Sequence, residues 1–86
     1  MVETIYRLPQ VVAARSVCRT QLYLDIKSGL FPRPVKLGKR INGWPESEVK
    51  ALNAARIAGK SDDAIKALVR NLELAREGAL DDALRP

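Results

Sequence analysis

The sequence predicts a mainly α-helical fold with one small β-hairpin and a C-terminal helical extension. Apolar residues recur at helical spacing in four segments, which are bounded by Pro, Gly or Ser. Between the second and third segments, Phe31–Pro34 contains two prolines, so a helix cannot pass through it. The alternating residues that follow are typical of a hairpin. With 86 residues, of which 47% are apolar, the chain has the composition of one small globular domain.

The N-terminal part predicts a short strand followed by two short helices. Thr4–Arg7 is prone to extended structure, and Pro9 presets the helical φ at the start of a helix that ends near Ser16. A second helix is expected over Cys18–Ser28, because Gly29 suits a left-handed C-terminal cap. One face of this helix carries Leu22, Ile26 and Gly29, and the opposite face carries Thr20, Leu24 and Lys27. The tight turn between the two helices predicts a helix-turn-helix.

The middle of the chain predicts a hairpin with a basic tip. Val35–Leu37 and Ile41–Trp44 form its strands, and Gly38–Arg40 forms the turn with two cations. We expect Trp44 to lie in the core.

Two further helices complete the predicted fold. The third helix opens at Pro45 and breaks at Gly59. The fourth helix is capped by Ser61 and is expected to end at Gly78, with the last eight residues frayed. We therefore divide the chain into residues 1–58 and a C-terminal helical extension, residues 59–86.

The composition excludes several classes of function. The chain has no His and one Cys, Cys18, so the usual ligand sets for zinc, haem and iron–sulfur clusters are missing, and we expect no cofactor. A single Cys fits a reducing compartment, the cytoplasm. There is no apolar run long enough for a membrane span and no secretion signal at the N-terminus. The carboxylates of Glu46, Glu48, Asp62 and Asp63 are explained by helix starts, so an enzyme is not expected.

The charge is unevenly distributed along the sequence. The formal net charge of +5 divides into +7 for residues 1–60 and −2 for residues 61–86. A basic first part indicates a polyanionic partner, although basic residues also keep a small protein in solution.

The order helix, turn, helix, basic hairpin, helix is that of a winged helix-turn-helix, whose second helix can enter the major groove of DNA. Over residues 5–58 the sequence also resembles the AlpA family of prophage regulators, small MerR-like proteins related to phage excisionases. The resemblance rests on Arg7-Leu8-Pro9, then Arg19, Tyr23, Ile26 and Gly29, then Phe31–Pro34 and Lys36–Gly38, then Arg40, Trp44 and Glu48-Val49. Four positions depart from the family pattern: Cys18 stands where a capping Ser is usual, Leu24 replaces a basic residue, and Asp25 is unusual. At the fourth, Leu52 stands where Trp is frequent, which is expected to be a core substitution only.

Double-stranded DNA is therefore the expected partner, with contacts from the second helix and the hairpin. The candidate residues of the helix are Arg19, Thr20, Gln21, Tyr23, Leu24 and Lys27, and those of the hairpin are Arg33, Lys36, Lys39 and Arg40. Tyr23 is expected either to reach a phosphate or to pack between helix and hairpin. Leu24 can contact a thymine methyl group or can be a plain exposed leucine.

The stripe Ile65, Leu68, Val69 and Leu72 has two interpretations: it covers the chain's own core, or it pairs with a second copy.

The resemblance implies a transcriptional regulator or an excisionase, which would act with a phage integrase and, through bent DNA, favour excision. The alternative is a protein-interaction module in which the acidic C-terminal helix docks on a partner and DNA binding is weak and sequence-blind.

Overall fold

The computed structural model describes residues 3–84, in which four helices pack around a three-stranded antiparallel sheet. In chain order the elements are β1 (Ile5–Tyr6), α1 (Leu8–Arg15), α2 (Arg19–Ser28), β2 (Val35–Lys36), β3 (Asn42–Pro45), α3 (Glu46–Ile57) and α4 (Asp62–Leu84). The predicted fold class is confirmed: a winged helix-turn-helix followed by a C-terminal helix. We call the hairpin of β2 and β3 the wing.

The sheet has the strand order β1-β3-β2, so the inner strand of the wing is paired on both sides. Val35 lies opposite Gly43 in the wing, and Tyr6 lies opposite Trp44 where β1 joins it. Gly43 is needed at this point, because a Cβ there would lie 2.5 Å from Ile5 Cγ2 and 3.0 Å from the Tyr6 carbonyl oxygen. The sheet thus ties the N-terminus of the described chain to the wing.

The helix-turn-helix has well-defined ends. The C-cap of α1, Ser16, adopts a left-handed conformation with φ of 55°, and the next helix begins three residues later. Cys18 is the N-cap of α2, where its Sγ accepts a hydrogen bond from the Gln21 N–H at 3.4 Å. Gly29 caps the other end with φ of 80°, as predicted.

The core lies where all four helices meet the sheet. Its buried side chains are Val11, Leu22, Phe31, Trp44, Val49, Leu52, Ile65 and Val69. Trp44 is 1% exposed, and its Nε1–H donates a hydrogen bond of 2.9 Å to the carbonyl oxygen of Pro32. The Phe31 ring packs on Trp44 with ring centroids 6.1 Å apart. The Pro-rich segment therefore passes over the core and is anchored there before the wing begins.

The C-terminal helix is longer than the sequence indicated. α4 continues through Gly78 to Leu84, so the prediction that Gly78 ends it was wrong. A mid-helix Gly costs roughly 0.5–1 kcal/mol relative to Ala, which its helix-forming neighbours can offset. Fraying was predicted for residues 79–86, but residues 79–84 belong to α4; residues 85–86 lie outside the described part of the chain.

The first half of α4 covers the core. Ile65 and Val69 are buried, and Leu68 and Leu72 pack against them at the edge. The stripe for which self-association was considered thus lies against its own domain. Further along, Arg76 Nε donates to Glu48 Oε2 at 2.8 Å and Nη2 donates to Oε1 at 2.6 Å, which locks α4 onto α3. Within residues 3–84, no helix has the length and apolar character to cross a membrane.

Candidate nucleic-acid interface

The side of α2 that faces away from the core presents polar and apolar side chains to solvent. Leu22 and Asp25 are turned inward and buried, whereas Arg19, Thr20 and Lys27 are exposed. Tyr23 and Leu24 are 50% and 52% exposed, which is unusual for such large side chains. A helix that projects these groups from the domain has the dimensions to enter a DNA major groove. We refer to α2 as the recognition helix.

The recognition helix is held from behind by a buried cation. The Arg15 side chain is 5% exposed, and its Nη2 lies 3.8 Å from Asp25 Oδ2. Its Nη1 donates to Asn53 Oδ1 at 3.2 Å, and its guanidinium carbon lies 5.0 Å from the centre of the Phe31 ring. Burial lowers the pKa of Arg15, and the Asp25 charge opposes that shift. One residue of α1 thereby fixes the recognition helix against α3 and the Pro-rich segment.

Asp25 and Gln21 of the recognition helix are joined by a hydrogen bond. Asp25 is a departure from the family pattern in the presumed recognition helix, yet it faces the interior, where it pairs with Arg15. Gln21 is exposed, but its Nε2 donates a 2.9 Å hydrogen bond to Asp25 Oδ1. The donor group of this amide is therefore engaged within the protein, away from the centre of the exposed face.

The wing and the recognition helix are separated by a crevice of about 230 Å³, which we call the wing crevice. It brings together Tyr23 of the recognition helix and Arg40 of the wing turn, two residues proposed from sequence. Its other lining residues are Arg7, Leu8, Pro9, Pro34, Asn42 and Trp44. Two arginines, a tyrosine and an asparagine thus line one crevice, and the side chains of all four carry groups that can donate hydrogen bonds to an anion.

The other predicted wing residues lie in different places. Lys39 is exposed in the turn beside Arg40, and Lys36 is exposed on β2 opposite Asn42. Arg33 is 80% exposed but faces α4, where its Nε lies 3.7 Å from Glu73 Oε2 and its backbone N–H donates to the same oxygen at 2.9 Å. Arg33 therefore belongs to a different surface from the wing turn.

Sequence reasoning did not select Arg7 or Asn42 as site residues. Arg7 falls in the predicted extended segment Thr4–Arg7 and in the family motif, and in the structure its backbone N–H donates to Gln10 Oε1 at 2.8 Å. Asn42 was noted as part of a strand. The pairing of β1 with β3 brings Arg7 and Asn42 to the same crevice, and the sequence analysis did not predict that pairing.

Comparison with known proteins adds a family to this geometry. The family described as "Prophage CP4-57 regulatory protein (AlpA)" matches residues 4–57, from β1 to the end of α3. The protein "Uncharacterized protein ORF88" of Enterobacteria phage P4 is 40% identical over 58 residues. That alignment covers 67% of this chain and 66% of the phage protein, just under two thirds of its length. No solved structure matches the chain.

Proposed function

We propose that this chain, which belongs to the AlpA family of prophage regulatory proteins, binds double-stranded DNA through the recognition helix and the wing. The observation that carries the proposal is the wing crevice, where Tyr23 and Arg40 converge beside the exposed face of the recognition helix. A protein that docks a helix in the major groove needs cationic and hydrogen-bonding groups beside that helix to hold the DNA backbone. The crevice supplies such groups at the required place.

In this proposal the wing crevice binds the phosphate backbone. Arg7 and Arg40 both line the crevice, so a phosphate bound there could receive charge-assisted hydrogen bonds from two guanidinium groups. The Tyr23 hydroxyl group and the Asn42 amide can add neutral hydrogen bonds. Lys39, exposed at the tip, would extend the contact to the next phosphate or to the minor groove. These contacts fix the position of the recognition helix and carry no base preference themselves.

Base recognition falls to the exposed face of the recognition helix. Arg19 and Thr20 stand at its N-terminal end, where such helices first meet base edges, and Arg is well suited to guanine. Leu24 offers an apolar surface to a thymine methyl group, and Lys27 lies one turn further on. Arg19→Ala should therefore change the preferred sequence, whereas an equal loss of affinity for every sequence would show that Arg19 contacts the backbone only.

Two roles are compatible with a DNA-binding member of this family. As a regulator, the protein would occupy a promoter-proximal site, for instance near an integrase gene. As an excisionase, several copies would bind neighbouring repeats in attachment-site DNA, bend it and contact the integrase. In both roles the protein would carry out no chemistry itself and would act on DNA in the cytoplasmic nucleoid. Closely spaced repeats with strong bending would indicate the excisionase.

Selection from a genomic library with the purified protein at about 150 mM salt tests the proposal, because sequence-blind electrostatic binding is weak there. Enrichment of a defined motif supports specific recognition, and the spacing between copies of the motif distinguishes the two roles. A library that is not enriched would refute specific DNA binding. It would favour the protein-interaction module, for which the exposed Leu74, Leu80 and Leu84 of α4 are the first residues to test.

A further inference from the structure

A second cationic surface lies at the C-terminal end of the recognition helix, where α4 passes it. Lys66 and Arg70 of α4 line a depression of about 330 Å³ together with Lys27 and Arg33. Glu73 also lines it. We call this surface the C-terminal depression. The family match ends at residue 57, so Lys66 and Arg70 come from a part of the chain that the family does not cover.

The position of α4 against the recognition helix is closely defined. A Cβ placed on Gly29, the cap of the recognition helix, would lie 3.8 Å from Lys66 Cγ, so the aliphatic stem of Lys66 runs beside the helix end. Ile65 and Val69, which flank Lys66 on α4, are buried in the core. The bidentate contact of Arg76 with Glu48 holds the same helix about two turns beyond Val69. The cations of α4 are therefore presented by a packed element.

The charge of the C-terminal depression is positive even after its acid is counted. Glu73 is held on one side by Arg33, whose backbone N–H and Nε both approach Glu73 Oε2. Four cations against one carboxylate leave three formal positive charges around the opening. Such a concentration of like charge costs free energy in the free protein, and a bound polyanion removes that cost.

We infer that the C-terminal depression binds the DNA backbone, with Lys66 and Arg70 each contacting a phosphate, so that α4 is a second backbone contact of the recognition unit. The inference rests on the proposed DNA binding. Lys27 supplies the link, because it lines the depression and also belongs to the exposed face of the recognition helix. DNA seated on that face would pass directly over the depression, while the wing crevice holds backbone beside Tyr23. The two cationic sites border the same helix at different points along it.

The test is Lys66→Gln with Arg70→Gln, assayed by fluorescence anisotropy on a labelled duplex carrying the selected site. Two lost phosphate contacts should lower the slope of log affinity against log salt by about 1.8 and weaken binding about 30-fold at 150 mM salt. The matched control is Lys50→Gln with Lys60→Gln, which removes the same charge from α3 and the loop after it. An equal effect in the control, or an unchanged slope in the test variant, would overturn the inference.

A second variant changes the charge in the opposite direction. Glu73→Gln keeps an oxygen that can accept from the Arg33 N–H but removes the negative charge. DNA affinity should therefore rise several-fold, and the slope of log affinity against log salt should steepen.

Ethylation interference then locates the contact. The Lys66 and Arg70 variant should lose interference at particular phosphates, while interference at the phosphates that face the wing persists. Wild-type protein that binds no duplex would refute the proposed function as well. Wild-type binding with unaltered interference in the variant would refute this inference alone.

Discussion

Replacing Lys39 and Arg40 together by Ala removes the cations of the wing turn. Both side chains are exposed, and Arg40 lines the wing crevice, whereas the neighbouring core is formed by Phe31 and Trp44. The substitution therefore leaves the packed part of the wing intact. The free energy of unfolding should change by no more than about 0.5 kcal/mol, as is usual for surface positions.

The loss of DNA affinity can be worked out from the number of charges. Each phosphate neutralised on duplex DNA contributes about 0.9 to the slope of log affinity against log salt, so two contacts contribute about 1.8. At about 150 mM salt, this counterion release is worth roughly fivefold in affinity per contact and roughly 30-fold for both. The loss should be similar for the selected site and for unrelated duplexes, because phosphate contacts carry no base preference.

The assay is a salt titration by fluorescence anisotropy between about 50 and 200 mM, with thermal unfolding as a check on the fold. Lys50→Ala with Lys60→Ala is the control, since it removes the same net charge away from the wing. A slope that stays at the wild-type value would remove the wing from the mechanism. So would a control that loses as much affinity, because the effect would then come from overall charge.

Three further predictions concern stability. Arg76→Ala should lower the free energy of unfolding by about 3–5 kcal/mol, because it leaves the buried Glu48 carboxylate without its partner; replacing both residues by Leu should cost far less in a urea titration. Cys18→Ser should raise the free energy of unfolding by about 0.5–1 kcal/mol through a better helix cap, and an unchanged value would show that the Sγ already caps α2 fully. Hydrogen bonds from Lys50 and Tyr6 lower the pKa of Glu46. The ionised Glu46 therefore stabilises the fold fully above the ordinary pKa of Glu, and this stabilisation is lost as the pH falls through the lowered pKa. The free energy of unfolding, measured from neutral to acid pH, should exceed that of Glu46→Gln at neutral pH, and this excess should shrink below about pH 4.3. A difference between the two proteins that stays constant with pH would contradict this.

Local patterns were enough to predict most of the elements. Pro9 and Gly29 fixed ends of α1 and α2, because each residue acts through its own backbone conformation. The wing followed from the two prolines and the turn at Gly38–Arg40. Gly78 was misjudged because a helix break depends on the balance between one poor residue and many good neighbours.

The interactions that shape the candidate interface are long-range, and no local pattern contains them. Arg15 looked like an ordinary helix residue, yet it is buried against Asp25, ten residues away. The partner of Glu48 is Arg76, 28 residues further along. Arg33 was expected at the base of the wing as part of the phosphate-binding surface, but its backbone N–H and Nε contact Glu73 of α4. Which side chains form such pairs depends on how whole helices pack together, and the sequence of any single segment does not specify that packing.

The pairing of β1 with β3 has a practical consequence for anyone who shortens or tags this protein. The helices alone suggest a domain that starts at Leu8, but a chain cut there would leave one side of β3 with unpaired N–H and C=O groups. An open strand edge of this kind is a template on which other chains can add, so the shortened protein should be prone to aggregate. It would also lose the bond from the Glu46 N–H to the Thr4 carbonyl oxygen, which joins β1 to the start of α3. Expression tags therefore belong ahead of an intact N-terminal strand, separated from it by a flexible spacer.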